Sequence, residues 1–280
     1  LDFIDSYKNG CTPNPDILCN KYIKFKVFKD HAYKLGAKKI ATGHYAKINN
    51  IKETYFLTKP KDNKKDQTYF LHTLDQKQLS NVIFPLSNIT KDEVKKIAKN
   101  IGFKSYNKKE SMGICFIGNK KFKNFINKYI ENNPGEIVDT SGKVIGKHNG
   151  MFYTTIGQRE GIGIGGMKNT KNLPWYVYKK DLNKNILYVC QGNENTLLYK
   201  TKIYIRDIHV ITNNEKDVLE KKLLCQVRHL GDKYECVISK EKENLFCVNS
   251  KEKIRAPAPG QSLVFFECEK CLGGGIITND

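Results

Sequence analysis

The sequence lacks any run near 18 apolar residues, which is the length that a membrane-spanning helix requires. It also lacks the basic and apolar layout of a signal peptide at its start, where Leu1 stands instead of an initiator methionine. We therefore predict a protein with no membrane contact. The start reads as the interior of a longer chain.

Neither a Walker-type nucleotide loop nor a disulfide framework is present in the sequence. The nine cysteines are odd in number and irregularly spaced, in a chain of 280 residues that is too long to need disulfide staples. Most of them are expected to be thiols in a reducing compartment. A bacterial-type cytoplasm is the predicted location, and an organelle is the alternative if the source is a eukaryote.

What the sequence has in excess is positive charge. Its 48 lysines and arginines exceed its 29 acidic residues, which gives a net charge of +19 spread through the chain. Such a surface attracts polyanions through counterion release, and nucleic acid is the commonest partner of that kind. A lysine-rich proteome from an AT-biased genome explains the composition equally well, so charge alone leaves the partner open.

The first half of the chain has the pattern of an α/β protein. Asn14 is a predicted helix N-cap with Pro15 at the first helical position, and Gly36 ends that helix. A short buried strand is predicted over residues 39–45, where ligands of α/β folds bind at the strand's carboxyl end. Thr90 begins a capping box ahead of a second helix, which Gly102 ends.

Beyond Pro134 the pattern changes to short strands separated by turns such as 141–142 and 183–185. Evenly spaced strands are predicted over 203–211, 223–229, 234–238, 245–248 and 263–266, and they suggest a barrel. We predict three parts: residues 1–132 are the remainder of an α/β domain, 133–197 a small β-rich domain, and 198–280 a C-terminal β-barrel.

Three cysteine features are candidates for chemistry. Cys19 lies in the first turns of the predicted helix behind Asp16, where the helix dipole favours a thiolate, although a lone helical cysteine is more often a small buried side chain. Cys115 lies in a glycine-bordered loop, and two such thiols suit a sulfur relay. Cys268 and Cys271 form a CxxC pair, which suggests either a redox or zinc site or, more simply, strand residues.

Several motifs occur in a specific order, and together they resemble the tRNA-specific 2-thiouridylase family (MnmA/TrmU) from end to end. They are NPDILCN at 14–20, GHY at 43–45, KDQ at 65–67, GICFIG at 113–118, GQR at 157–159, PWYV at 174–177, PGQ at 259–261 and CLGGG at 271–275. The resemblance implies an adenine-nucleotide alpha hydrolase-like (Rossmann-like) domain, followed by a small β-rich domain and a β-barrel.

The resemblance also implies an activity. The enzyme would replace the C2 oxygen of the wobble uridine with sulfur in tRNAs for Lys, Glu and Gln, using ATP with Mg²⁺ and a persulfide donor or relay protein. Cys115 would carry the persulfide, Cys19 would be the nucleophile that helps release the sulfur, and a Cys19–Cys115 disulfide would be the by-product. Asp16 would act as the acid or base. No tightly bound metal is implied.

The family's binding residues carry over onto matching positions of this sequence. Against the target base the resemblance places Asn14, Pro15 and Asp16, and near ATP it places Gly43. Against the tRNA it places His44, Lys65, Asp66, Gln67, Arg228, His229 and Gln261. His229 departs from the family pattern, because many relatives have a tyrosine at this position.

A second departure is that no Ser- and Gly-rich pyrophosphate-binding loop precedes Asp16. We therefore expect this sequence to be a fragment that does not hold ATP competently by itself, with the loop upstream or on another chain. Two other interpretations stay open: a tRNA-binding remnant without catalysis, and a redox or metal protein built on the CxxC pair.

Overall fold

The structure is a computed structural model that describes residues 2–108, 122–164 and 173–279. Its helices are α1 (Asp2–Lys8), α2 (Pro15–Leu18), α3 (Lys29–Lys34), α4 (Thr68–Leu71), α5 (Gln76–Ser80), α6 (Lys91–Asn100) and α7 (Phe122–Ile126). Its strands are β1 (Ile40–Ala41), β2 (Lys47–Ile51), β3 (Thr54–Thr58), β4 (Val82–Ile83), β5 (Gly135–Val138), β6 (Val144–His148), β7 (Trp175–Asp181), β8 (Ile186–Gln191), β9 (Tyr199–Val210), β10 (Leu223–Gln226), β11 (Tyr234–Lys242), β12 (Leu245–Arg255), β13 (Ser262–Glu267) and β14 (Lys270–Ile277). In the described residues, no helix is both long and apolar enough to cross a membrane.

The predicted first long helix forms, but it changes type along its length. α2 begins after the Asn14 cap with Pro15 at its first position, and a π-helical segment, Cys19–Phe28, joins it to α3. Gly36 follows with a φ of 92°, so both predicted ends are confirmed. Apolar residues recur along this helix at the spacing of an α-helical stripe, but they are only partly buried: Phe25 is enclosed, whereas Tyr22 and Leu35 are exposed. The reason is that π-helical hydrogen bonding shifts the phase of a pattern read at 3.6 residues per turn.

The α/β prediction is confirmed by a parallel strand pair. β1 pairs with β4 in the register Ile40 to Val82 and Ala41 to Ile83. The strand is two residues long, shorter than the predicted span of 39–45. Thr90 and Glu93 form the predicted capping box at the start of α6, and Gly102 follows that helix with a φ of 78°.

A hairpin that the sequence did not reveal joins the first half of the chain to the second. β2 and β3 pair around a turn at Lys52 and Glu53, whose φ angles of 48° and 62° match the two left-handed residues of a type I′ turn. β3 then pairs with β14, with Leu57 opposite Cys271. The sheet of the C-terminal barrel therefore continues into a segment more than 200 residues earlier.

The predicted C-terminal barrel is confirmed as a closed antiparallel sheet. Its strand order is β13-β10-β11-β12-β9-β14, and β14 pairs back to β13. The predicted strands are all present, and β14 is an additional strand built on the CLGGG motif. Inward side chains such as Ile205, Cys225, Ile238 and Leu263 fill the interior, as expected for a small barrel.

The central β-rich part is a separate sheet with the order β6-β5-β8-β7. Its hairpins turn where the sequence predicted. Asp139 accepts backbone hydrogen bonds from Ser141 and Lys143 in the first turn, and Asn185 has a φ of 54° in the second. Ile137, Leu187 and Val189 form its core. The boundaries at 132 and 197 stay predictions.

The α/β part and the barrel share one hydrophobic core. Leu57 and Leu71 from the first half pack in the same cluster as Val264 and Phe266 from β13 and Cys271 from β14. Tyr69 seals this contact, because its buried hydroxyl lies 2.8 Å from the Ser262 carbonyl oxygen and donates to it. The two parts are thus one packed body.

Replacing Gly274 with alanine tests this shared core. A Cβ at Gly274 would lie 2.7 Å from His72 Cδ2 and 2.7 Å from the Leu263 carbonyl oxygen, so the strand and α4 must move apart. We expect Gly274→Ala to lower the free energy of unfolding by about 1–3 kcal/mol in urea titration. Gly146→Ala is the control, since its nearest contact would be an ordinary 3.5 Å to Ile137. Equal stability of the two variants would contradict the close approach.

Candidate active site

The start of the first long helix presents an acid and a thiol on one face. The Asn14 side chain accepts hydrogen bonds from the backbone N–H groups of Asp16, at 3.1 Å, and Ile17, at 3.3 Å. Asp16 is exposed in the first turn, and Cys19 is half-buried three residues later. Residues three apart lie on the same side of a helix. The Asn14 cap therefore holds the start of the helix in place, with the Asp16 carboxylate and the Cys19 thiol on the same side.

Asn20 connects this helix to α4. Its buried side chain donates a 3.0 Å hydrogen bond to the Phe70 carbonyl oxygen. The next turn of the helix carries Lys24, whose Nζ lies 3.4 Å from His44 Nε2. The Cys19 helix is therefore held against both α4 and the loop after β1.

His44 is a buried, neutral ring. It packs between the rings of Phe25 and Phe84, and its Nδ1 lies 2.9 Å from Thr42 Oγ1. Burial, and then the charge of Lys24, lower the pKa of His44 to about 4. The neighbouring Gly43 is exposed after β1, and a Cβ there would meet no atom within 4 Å. The backbone of Gly43, at the carboxyl end of the parallel strand β1, is therefore accessible to a ligand.

The KDQ segment joins the loop after β1 to the barrel. Gln67 bonds Tyr45 twice, accepting from its backbone N–H at 2.8 Å through Oε1 and donating its own N–H to the Tyr45 carbonyl at 2.9 Å. The carbonyl oxygen of Asp66 accepts a 2.7 Å hydrogen bond from His229 Nε2. The His229 ring lies 4.3 Å from the Phe70 ring. His44, residues 65–67 and His229 therefore lie in one cluster.

Arg228 joins the barrel to the central sheet. One guanidinium nitrogen donates to the carbonyl oxygens of Ile156, at 3.2 Å, and Ala256, at 3.1 Å. Burial and the nearby Arg255 lower the pKa of Arg228 from its usual range. Gly157, with a φ of 83°, allows this approach, because a Cβ there would lie 3.0 Å from Arg228 Nη2 and 2.5 Å from Ala256 Cβ. Two guanidinium groups thus converge on the GQR loop.

Gln261 fixes the loop that leads to Asn14. Its side chain donates a 2.5 Å hydrogen bond to the Thr12 carbonyl oxygen, and the Thr12 N–H donates to the Pro259 carbonyl oxygen at 2.8 Å. A cleft of about 1390 Å³ opens beside Asn14 and is also lined by Cys11 and Arg206. The PGQ and NPD motifs, nearly 250 residues apart, therefore form one structural unit.

All the predicted site residues except one lie in the described residues, where contacts join Asp66, Gln67 and His229 in one group and tie Gln261 to the loop before Asn14 in another. Cys115 lies outside the described residues, and so does its predicted pairing with Cys19. The CxxC pair is placed unfavourably for a redox site, because Cys268 is exposed whereas Cys271 is buried and desolvation raises its pKa to about 12. Such a thiol resists becoming the thiolate that redox exchange and metal binding both require.

Four residues that support the site were missed by sequence reasoning. Asn20, Phe70 and Arg255 lie beside predicted residues, and Thr12 precedes the NPD motif. Adjacency to a motif was the available signal for Asn20 and Thr12. The ring contact of Phe70 with His229 joins positions 159 apart, and no local pattern indicates it.

Comparison with family models matches the chain in three consecutive segments. Residues 1–119 match a tRNA methyl transferase HUP domain, residues 123–191 a tRNA methyl transferase PRC-barrel domain, and residues 200–277 an aminomethyltransferase beta-barrel domain. These three matches follow the α/β part, the central sheet and the closed barrel of the structure.

Curated relatives match the chain over nearly its whole length. The tRNA-specific 2-thiouridylase MnmA of Legionella pneumophila strain Paris is 46% identical over 275 residues, covering 98% of this chain and 76% of that protein. The MnmA protein of Alcanivorax borkumensis is 44% identical, covering 98% of this chain and 75% of its own length. MnmA 2 of Aliarcobacter butzleri is 45% identical, covering 99% and 76%.

The buried histidine of the site predicts an acid-sensitive stability. An unfolded histidine takes up a proton below about pH 6.5, whereas the folded pKa of His44 is about 4, so stability is complete above pH 6.5 and declines as the pH falls towards 4. At pH 5 the loss from His44 is about 2 kcal/mol.

In urea titrations at pH 7.5 and pH 5, His44→Phe is expected to lose less stability on acidification than the wild type. His31→Gln, at an exposed position, is the control and should follow the wild type; an equally acid-sensitive His44→Phe would contradict the neutral buried ring.

Proposed function

Since the chain belongs to the tRNA-specific 2-thiouridylase family, we propose that it is a sulfurtransferase that replaces the C2 oxygen of a uridine in tRNA with sulfur. The observation that carries this proposal is the exposed carboxylate of Asp16 one helical turn from Cys19, at the end of a loop that Gln261 fixes. A carboxylate and a thiol on one rigid helix face are the groups that proton transfer and sulfur transfer need.

The proposed substrate is the wobble uridine of the tRNAs for Lys, Glu and Gln. A base in an anticodon loop is reached by taking it out of its stack. The exposed helix start is suited to this, because Asn14, Pro15 and Asp16 stand on a loop end instead of in an enclosed core. We propose that these three residues contact the target base.

The proposed chemistry uses ATP and a persulfide on Cys115. ATP supplies activation of the C2 oxygen as a leaving group. The terminal sulfur of the Cys115 persulfide attacks C2, and the activated oxygen leaves, while Asp16 takes up or returns the proton at the base. The Cys19 thiolate then attacks Cys115 Sγ, the bond to the transferred sulfur breaks, and a Cys19–Cys115 disulfide forms. A thiol reductant, and a persulfide donor or relay protein, restore the starting state.

The proposed nucleotide contact is at Gly43. It follows a parallel strand, where α/β folds bind ligands, and its open backbone leaves room for a phosphate or ribose to approach. The tRNA contacts are proposed at His44, Lys65, Asp66, Gln67, Arg228, His229 and Gln261. Because the relay depends on reduced thiols, we propose a reducing compartment of the bacterial cytoplasmic type.

Nucleoside mass spectrometry tests the reaction. We expect the full-length protein, incubated with tRNA, ATP and a persulfide donor, to give 2-thiouridine, and Cys19→Ser and Cys115→Ser to give none. Cys268→Ser is the matched control, since that thiol is exposed on a turn and should leave the yield unchanged.

The products also separate the alternatives. Thiolation that persists in Cys115→Ser would overturn the relay. Methylated instead of thiolated nucleosides would support the chemistry in the family-model description. Salt-sensitive tRNA binding without any product, under conditions where a control enzyme works, would support a tRNA-binding protein without catalysis.

Asn14→Asp separates the capping role of Asn14 from its proposed base contact. Aspartate caps a helix as well as asparagine, so the free energy of unfolding should change by less than about 0.5 kcal/mol. The amide donor is lost and a negative charge is gained beside the base, so kcat/KM for tRNA should fall at least about tenfold. An unchanged kcat/KM would show that Asn14 acts only as a cap.

A further inference from the structure

A second cleft borders the KDQ segment at Lys65 and has a strongly basic lining. It has a volume of about 610 Å³ and lies between the 3-10 turn Asn63–Lys65 and the first turns of α6. Six lysines line it: Lys61, Lys64, Lys65, Lys91, Lys95 and Lys108. Asp62 and Asp92 are the carboxylates in the lining, so six positive charges minus two negative charges leave a net charge of +4.

Two of the three carboxylates around this cleft are engaged in building it. Asp62 accepts backbone hydrogen bonds from Lys64, at 3.1 Å, and Lys91, at 2.8 Å, and so ties the 3-10 turn to the start of α6. Glu93, behind the lining, caps α6 through the Thr90 N–H and pairs with Lys61 at 2.8 Å. Asp62 and Glu93 therefore hold the walls together, and when Glu93 is counted with the lining, six positive minus three negative charges leave a net charge of +3.

The composition of the lining argues for a polyanion rather than a small molecule. Among the described residues, the cleft is lined by Lys, Asp, Asn and Thr alone. Ligand pockets are mostly lined by apolar and aromatic side chains, which hold a base or another ring. A cleft with cations and no stacking surface suits a phosphate backbone, whose contacts carry affinity and orientation without reading bases.

The larger cleft beside Asn14 gives the contrast within the same molecule. Asp5, Asp207, Glu241 and Glu243 line it against Arg206 and Lys242, so four negative minus two positive charges give a net charge of −2. The lysine cleft is therefore the more favourable of the two clefts for a phosphate backbone. The basic cleft also includes Lys65 of the KDQ segment, so it is continuous with the proposed tRNA contacts.

We infer that the lysine cleft between residues 63–65 and α6 binds the phosphate backbone of the substrate tRNA, beyond the contacts of the KDQ segment. This inference rests on the proposed function. Lys108 is the last described residue before the segment that carries Cys115. A backbone held here is therefore bound at the last described residue before the segment on which the persulfide is proposed.

A triple variant, Lys64→Gln, Lys95→Gln and Lys108→Gln, tests the inference in the full-length protein. All three side chains are exposed, and none is assigned to the catalytic machinery. We expect tRNA affinity at about 0.1 M salt to fall about tenfold or more, and the slope of log K against log salt to become less negative by about 2–3. The matched control replaces Lys216, Lys221 and Lys222 with glutamine, which removes three exposed lysines between β9 and β10.

Each outcome has one meaning. An unchanged slope in the cleft variant, or an equal loss in the control, would overturn the inference, and so would a raised KM for ATP with unchanged tRNA binding. The proposed function is assessed separately by 2-thiouridine yield at saturating tRNA. If the wild type makes 2-thiouridine while the cleft variant binds tRNA normally, the inference fails and the proposed function stands. If the wild type makes none, the proposed function fails, whatever the slopes are.

Discussion

The packing of strand β14 against both halves of the chain is the constraint on which the rest of the structure depends. β14 pairs with β13 and β9 to close the barrel, and also with β3 of the first half. Its neighbour Tyr69 is buried and donates to the Ser262 carbonyl oxygen, while Gly274 lies against the His72 ring. A side chain at Gly274 would meet His72 after α4, and side chains at Gly273 and Gly275 would meet β9. The CLGGG motif is therefore a packing requirement and needs no chemical role.

This shared core determines where the site residues meet. Once β14 and β13 are fixed against α4, the loop after β10 lies over residues 65–67, and His229 reaches the Asp66 carbonyl and the Phe70 ring. The loop before β13 lies against the start of the helix, where Gln261 holds Thr12. The candidate active site is therefore assembled by the barrel, although its thiol and carboxylate belong to the α/β part. The Gln261 contact with Thr12 is the hydrogen bond that ties the barrel to the loop leading to Asp16 and Cys19.

Features set by neighbours in sequence could be predicted, and those set by distant contacts could not. The Asn14 cap, the Thr90 capping box and the turn at Asp139 each depend on residues within four positions, so their patterns were sufficient. The β2–β3 hairpin and the π-helical segment were missed, because the first is stabilised by β14 and the second alters the helical period. The proximity of Arg228 to Gly157, and of Gln261 to Thr12, follows from tertiary packing alone. The sequence motifs identified the candidate residues, whereas their contacts with one another depend on the tertiary fold.

The electrostatics of the candidate RNA-binding face follow from the same burial. His44 is kept neutral because burial lowers its pKa to about 4, so at physiological pH it offers a hydrogen bond and no charge. Arg228 has its guanidinium engaged by two carbonyl oxygens and acts first as a link between barrel and central sheet. The positive charge near the KDQ segment is therefore supplied by the lysines of the second cleft, whose strongly hydrated ammonium groups act as point charges. In the proposed function, this face positions the RNA backbone through salt-sensitive attraction, and we assign the contact with the base to Asn14 and Asp16 at the helix start.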